Sequence, residues 1–134
     1  MITYSYLGRN GRLGNQMFQY AALRGIASKH NYEWCIPPKE VFGNDYNLRS
    51  SIYECFKLPS VKNSGTLNYQ TIEESFFHFD ENLFNNCPDN VNLDGYFQTE
   101  KYFKHIEKEI REDFQFHDEI YQPCKELVDS LGEG

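Results

Sequence analysis

Residues 8 to 16 read Gly8-Arg9-Asn10-Gly11-Arg12-Leu13-Gly14-Asn15-Gln16. They combine residue types suited to holding an anion. Glycines leave backbone N–H groups open to a ligand, and a helix beginning there adds the positive end of its dipole. Arg9 and Arg12 add guanidinium forks that match phosphate oxygens. The flanking runs supply the context: Ile2 to Leu7 is apolar and β-prone, and Asn15 to His30 is amphipathic with helical spacing. The stretch is therefore a strand-to-helix turn. It ends Gly14-Asn15-Gln16 where a Walker loop needs Gly-Lys-Ser/Thr. Its glycines run Gly8-x-x-Gly11-x-x-Gly14 where a dinucleotide fingerprint needs Gly-x-Gly-x-x-Gly. Glycine spacing alone can mean backbone freedom and nothing more.

The alternating run Val91 to Phe97 is a third strand after Ile2–Leu7 and Tyr32–Ile36, and Asp94, Tyr96 and Gln98 belong to its end. They fall at its carboxyl end, where open parallel sheets hold ligands. Gly95 inside that run marks a bulge or a close backbone approach. His30, His78, His105 and His117 form no catalytic pattern and read as surface or capping residues. Cys35, Cys55, Cys87 and Cys124 are irregularly spaced with no C-x-x-C pair, which disfavours zinc and fits buried free thiols.

The elements that must position these groups follow from periodicity. In the first helix Met17, Phe18, Ala21, Ala22, Gly25 and Ile26 form one stripe, with the small residues allowing close approach to a sheet. Strand, helix and strand within about thirty residues make a βαβ unit. Lys39 to Ser50 is polar and irregular, Ser51 to Leu58 a short helix, Pro59 to Asn68 a loop. Tyr69 to Phe79 is ambiguous with a slight strand bias, and Asn85 to Asn90 is a turn cluster. Thr99 caps a helix whose buried stripe is Tyr102, Phe103, Ile106, Ile110 and Phe114, with Glu107–Arg111 and Lys108–Glu112 pairs outside. A last helix runs to Leu131, with Ile120, Cys124, Leu127, Val128 and Leu131 inward and Pro123 limiting its start. The expected fold class is α/β, a Rossmann-like parallel sheet with flanking helices.

Composition narrows the partners. The 134 residues suffice for one domain with its own core. A net charge of −7 without a basic cluster argues against duplex nucleic acid. The 16% aromatic content fills a core on one account and offers sugar-stacking or partner surface on the other. No run is long and apolar enough for a transmembrane segment.

Two segments resemble a known family. Gly11-Arg12-Leu13-Gly14-Asn15-Gln16-Met17-Phe18-Gln19-Tyr20-Ala21 is similar to the opening motif of the glycosyltransferase family that contains the α-1,2-fucosyltransferases. Leu93-Asp94-Gly95-Tyr96-Phe97-Gln98-Thr99-Glu100-Lys101-Tyr102-Phe103 resembles its mid-domain Gly-Tyr-Phe-Gln motif. The matches fall in the family's order and at roughly its spacing. They cover essentially the whole chain but only the N-terminal part of the family pattern.

The resemblance implies that residues 1–134 are a single domain, one half of a two-domain GT-B-type glycosyltransferase with its active site between the halves. It implies transfer of fucose from GDP-fucose to the 2-hydroxyl of a galactose-containing glycan, with inversion, no cofactor and no metal. Arg12, Gly14, Asn15 and Gln16, with Tyr96 and Gln98, are then substrate-binding residues, and Asp94 is the candidate proton acceptor by position. The rival account is structural: Gly11 and Gly14 permit the turn, and Asn15 caps the helix. The family's His-x-Arg-Arg-Gly-Asp-like segment, whose arginine grips GDP, has no counterpart, because no Arg-Arg pair occurs. The expectation is a chain inactive alone, lacking its C-terminal donor-binding domain, with that domain or self-association covering apolar surface. The alternative is a non-catalytic glycan- or protein-binding module that keeps the fold. Animal members of the family start with a membrane anchor, whereas this chain starts at its first strand. A cytoplasmic bacterial or viral setting is expected, with peripheral membrane attachment left open.

Overall fold

The structure, a computed structural model, describes residues 1–7, 13–37, 51–58 and 69–132. The elements run β1 (Ile2–Thr3), α1 (Leu13–His30), β2 (Trp34–Cys35), α2 (Ser51–Cys55), β3 (Gln70–Glu73), α3 (Glu81–Asn86), β4 (Val91–Asp94), two 3-10 turns (Glu100–Tyr102 and Lys104–Ile106), α4 (Glu107–Asp113) and α5 (Asp118–Gly132). The expectations for 39–50 and 59–68 lie outside the described residues, as do Gly8 to Arg12.

The four strands form one all-parallel sheet in the order β2-β1-β4-β3. With its flanking helices this is an α/β architecture compatible with a Rossmann-like fold. β1 and β4 are central and their residues are buried through Leu93, as parallel strands covered on both faces require. β3 is an edge strand and carries exposed polar residues at Gln70, Thr71 and Glu73, a composition that blunts edge pairing. β1 is shorter than its apolar run, because the chain turns after Tyr4. There Leu7 N bonds Tyr4 O at 3.1 Å, and Asn92 Oδ1 takes the Ser5 amide at 2.8 Å.

α1 ends where sequence chemistry dictates. Asn31 adopts a left-handed φ of 58°. Its amide bonds Ser28 O at 3.3 Å, and the Tyr32 amide bonds Ala27 O at 2.9 Å. This paired closure of the last carbonyls suits Asn or Gly at that position. The expected single stripe on α1 does not hold. Gln16, Gln19, Tyr20 and Leu23 are buried with Ala21, Ala22, Gly25 and Ile26, while Met17 is half-buried and Phe18 is 36% exposed. The helix is enclosed by the sheet on one side and by α2 and the 3-10 turns on others, so no one stripe describes it. Gly25 faces the turns and not the sheet: a Cβ there would sit 2.0 Å from the Tyr102 carbonyl oxygen.

α4 is pinned across α1 by a charged cluster. Asp113 accepts from the Tyr20 hydroxyl at 2.6 Å and from Arg24, whose guanidinium lies 5.6 Å over the Trp34 ring. Burial, and then Asp113, push the Tyr20 hydroxyl far above its ordinary pKa, so it stays a donor.

The helix expected from Thr99 is broken. Thr99 Oγ1 does accept from the Lys101 amide, at 3.4 Å, but Phe103 (φ −138°, ψ 6°) interrupts the chain before α4 begins. The buried stripe survives the break, with Tyr102, Ile106 and Ile110 buried and Phe103 and Phe114 half-buried. The Glu107–Arg111 pair forms at 2.7 Å.

Helix α3 (Glu81–Asn86) occupies a stretch given no element from sequence and runs into the first two residues of the turn cluster expected at Asn85 to Asn90, whose remainder is non-helical. Asp80 makes it possible: its Oδ1 accepts from Leu83 N at 3.1 Å and its Oδ2 from Ser75 N at 3.0 Å. Burial works to raise this carboxyl, and the Ser75 and Leu83 amides outweigh it, holding it below the ordinary value. A lowered folded-state pKa stabilises the fold above the unfolded value of about 3.9. That contribution is lost as pH falls through the folded value. Asp80→Ala is expected to cost about 1–2 kcal/mol at pH 7, the worth of an N-cap. The gap to the wild-type chain should close in urea titrations as the pH is taken down through the folded value. A gap that persists there would mean the carboxylate is not the source.

α5 corrects a further expectation. Ile120 is half-buried, and Cys124, Leu127, Val128 and Leu131 are exposed, Leu131 at 73%. The face expected inward is apolar by pattern, yet from Cys124 onward it is open to solvent. Pro123 sits inside the helix and does not delay its start, which is held by Ile120 and Tyr121 amides bonding His117 O at 2.9 and 2.8 Å. Cys35 and Cys87 are buried as expected, and burial followed by Asp89 pushes the Cys87 thiol up to about 11. Cys55 is half-buried and Cys124 exposed.

Candidate functional site

The sheet's carboxyl ends gather the candidate residues, and the reason is the loop that leaves β4. Gly95 has a φ of 146°, a conformation that L side chains rarely adopt. A Cβ on it would meet Glu74 Cβ at 2.7 Å, so the close backbone approach expected at Gly95 is found. The Tyr4 hydroxyl, carried just beyond β1, accepts from the Gly95 amide at 3.1 Å and donates to the Gly95 carbonyl. Two residues on, Phe97 has a left-handed φ of 51°. Its ring is buried edge-on to Tyr102 at 5.1 Å and to Tyr4 at 6.2 Å.

Glu74 completes the clamp. Its Oε1 accepts from Phe97 N at 3.0 Å and its Oε2 from the Tyr102 hydroxyl at 2.6 Å. The same hydroxyl accepts from Asp80 N at 2.8 Å. Burial, then the bond to Glu74, raises the Tyr102 hydroxyl well above its ordinary pKa and keeps it protonated for that bond. Two residues in sparsely populated conformations are thus held from both sides, a pattern that recurs where a loop serves a ligand.

Between these anchors Tyr96 is carried outward, 42% exposed, into a crevice of about 320 Å³. Glu73, Phe76, Phe77 and Asp94 line it beside Tyr96. Glu73 and Asp94 are register partners on β3 and β4, so their side chains share a face. Phe76 is 52% exposed and Phe77 94% exposed, and Phe76 stacks on His78 at 4.7 Å. Among the described lining residues there is no Lys, Arg or His. Carboxylates here can accept hydroxyl protons, and the aromatic rings can take an apolar ligand face.

The expected site residues separate. Asp94 and Tyr96 line the crevice. Gln98 is exposed, and its Nε2 donates to Asn15 Oδ1 at 2.7 Å, joining residues 83 apart in sequence. α1 begins at Leu13, so Asn15 lies inside the first turn and is not its N-cap, contrary to the structural account. Gln16 is buried, and its Oε1 accepts from Ile52 N at 3.0 Å, an interaction that holds α2. Gly14 is exposed with open space where a Cβ would stand. Arg12 lies outside the described residues.

Sequence reasoning did not identify Glu73, Phe76 and Phe77. Their segment carries mixed periodicity, and only the pairing of Gln70–Glu73 with Val91–Asp94 brings them beside Asp94. The histidines are structural where they bond: His30 to Phe84 O at 2.8 Å, His105 to Gly25 O at 2.9 Å, His117 to Tyr53 O at 3.0 Å. The described residues contain no group of three His, Cys, Asp or Glu side chains arranged to hold a metal, and no helix long and apolar enough to cross a membrane.

No family model matches the chain, and no curated protein or solved structure shows a detectable match to it.

Proposed function

We propose that this chain is the N-terminal domain of an α-1,2-fucosyltransferase-like enzyme, one half of a GT-B-type architecture working in a cytoplasm. The observation that carries the reading is the Asn15–Gln98 hydrogen bond. It brings the two segments that resemble the family's motifs side by side, near the carboxyl ends of a parallel sheet, where such folds hold ligands. The proposed reaction breaks the bond between fucose C1 and the β-phosphate oxygen of GDP-fucose, and GDP leaves with the electron pair. The galactose 2-hydroxyl oxygen bonds C1 from the opposite face, and its proton passes to a carboxylate, for which Asp94 is the candidate. Arg12 and the first-turn groups of α1 are proposed to meet the charge growing on the diphosphate. No cofactor or metal is invoked.

The test supplies a C-terminal half from a family enzyme in trans and follows radiolabelled fucose onto lactose. The chain alone should transfer nothing, and the pair should transfer. Asp94→Asn should lower kcat by at least about 100-fold, within the range for a general base. No transfer with any matched half, together with silent Arg12→Ala and Asp94→Asn in a full-length fusion, would reject the assignment.

A second reading is a non-catalytic glycan- or protein-binding module, and one surface bears on the choice. Leu127, Val128 and Leu131 form an exposed apolar face on α5. A partner domain or self-association would cover it under the first reading. A monomer at all concentrations by light scattering, with saturable galactoside binding, supports the module instead.

A further inference from the structure

We propose that the crevice at the carboxyl ends of β3 and β4 binds a small organic cation, an alkylated ammonium, on aromatic rings flanked by carboxylates. Three aromatic side chains line it and are open to solvent: Phe77 at 94% exposure, with Phe76 and Tyr96 each about half exposed. Phe76 is held by stacking on His78 at 4.7 Å. The face of an aromatic ring is the negative part of its quadrupole and attracts a cation within about 6 Å of the centroid. Elsewhere in the chain such faces already have a cation. Lys29 lies 5.0 Å over Phe84, Lys101 5.9 Å over Phe79 and Arg24 5.6 Å over Trp34. Among the described residues no cation lies over Phe76, Phe77 or Tyr96.

The charge of the crevice agrees. Its described lining holds the carboxylates of Glu73, Glu74 and Asp94 and no basic side chain. Glu74 bonds the Phe97 amide and the Tyr102 hydroxyl, both neutral donors, so its charge is not cancelled. Glu73 is exposed and is in no ion pair among the described residues. It is the register partner of Asp94, and like charges at paired positions of adjacent strands repel. A cation seated beside them relieves that repulsion. The backbone donors at the crevice are already engaged: Glu74 N bonds Asp94 O at 2.9 Å, Ser75 N bonds Asp80 Oδ2 at 3.0 Å, and Gly95 N bonds the Tyr4 hydroxyl at 3.1 Å. An anion therefore finds little to bond, whereas an alkylated ammonium needs only ring faces and negative charge. A metal ion fits less well, because among the described residues no three ligating side chains are arranged to hold one. The volume, about 320 Å³, is at the small end for small-molecule sites and takes a single ammonium head group.

The cation site does not rest on the proposed function. The experiment is a titration of the whole chain, followed by amide NMR shifts at about 0.15 M salt, an ionic strength with a screening length of about 8 Å. The probes are choline, its neutral isostere 3,3-dimethylbutan-1-ol, and calcium chloride. Choline is expected to saturate and to shift the Glu73, Gly95 and Tyr96 amides. The alcohol, equal in shape and lacking the charge, should bind at least about tenfold more weakly. Calcium at the same concentration should not displace choline. Phe77→Ala, at a position so exposed that folding is unaffected, should weaken choline by at least about fivefold, and Phe77→Tyr, which keeps a ring, should restore it. Glu73→Gln, also at an exposed position, should weaken choline by at least about threefold.

Failure of choline to saturate, equal affinity for the alcohol, displacement by calcium, or an unchanged affinity in either Phe77→Ala or Glu73→Gln would each overturn the inference. Choline binding of the expected profile without fucosyl transfer in the complemented enzyme defeats the proposed function alone. Restored transfer in a chain that does not bind choline defeats this inference alone.

Discussion

Gly25→Ala is expected to destabilise the chain by about 3 kcal/mol, the upper range for an overpacked core position. The new Cβ would lie 2.0 Å from the Tyr102 carbonyl oxygen, 2.8 Å from its carbon and 2.9 Å from Phe103 Cα. All three are backbone atoms, so no rotamer change relieves the contact. Either α1 or the 3-10 turn must withdraw, which also stretches the bond from His105 to the Gly25 carbonyl. Alanine's better helix propensity returns at most about 1 kcal/mol. Gly14→Ala is the control, because open space surrounds that position within the same helix. It should be neutral or stabilising by up to about 1 kcal/mol. Urea unfolding followed by the fluorescence of Trp34, the single tryptophan, reads both. A midpoint for Gly25→Ala equal to that of Gly14→Ala would show that α1 does not rest on the Tyr102–Phe103 turn.

Glu74→Ala is expected to cost about 2–4 kcal/mol. The carboxylate holds two donors, the Phe97 amide and the Tyr102 hydroxyl, and each donor left unsatisfied in a buried setting costs about 1–3 kcal/mol. The effect should be local before it is global. Gly95 and Phe97 keep their unusual backbone angles only while both sides of the loop are anchored. Amide exchange at Gly95 and Phe97 should therefore quicken in Glu74→Ala beyond what the loss of global stability accounts for. Glu74→Gln should lie between, since an amide oxygen can still take the Phe97 proton while its NH₂ group cannot accept from Tyr102. If Glu74→Ala melts like the wild-type chain and leaves those amides protected, the Tyr4 clamp alone sustains the loop.

Sequence by itself determined the parts of this protein that depend on short-range chemistry. The apolar runs at Ile2, Trp34 and Val91 became parallel strands, and the length between the first two required a helix crossover. Thr99 caps a turn, Glu107 meets Arg111, and Gly95 admits a close neighbour, all from local geometry. Asp80 before Glu81 was an N-cap signal for α3 in plain view. The two segments on which the family resemblance rests were legible too.

Only the tertiary structure decided where those segments meet and what their neighbours are. Asn15 and Gln98 are brought together by strand order β2-β1-β4-β3, which no local pattern encodes. Burial of α1 on several sides put the Gln16 side-chain carbonyl against the Ile52 amide of α2, and turned Gly25 toward Tyr102. A pattern of apolar residues gives a helix an inward face but cannot say what lies against it; Leu127, Val128 and Leu131 on α5 have the pattern and remain exposed. The crevice itself depends on the register of β3 against β4. A one-residue slip in that pairing would move Glu73 to the opposite face from Asp94, and with it the chemistry of the site.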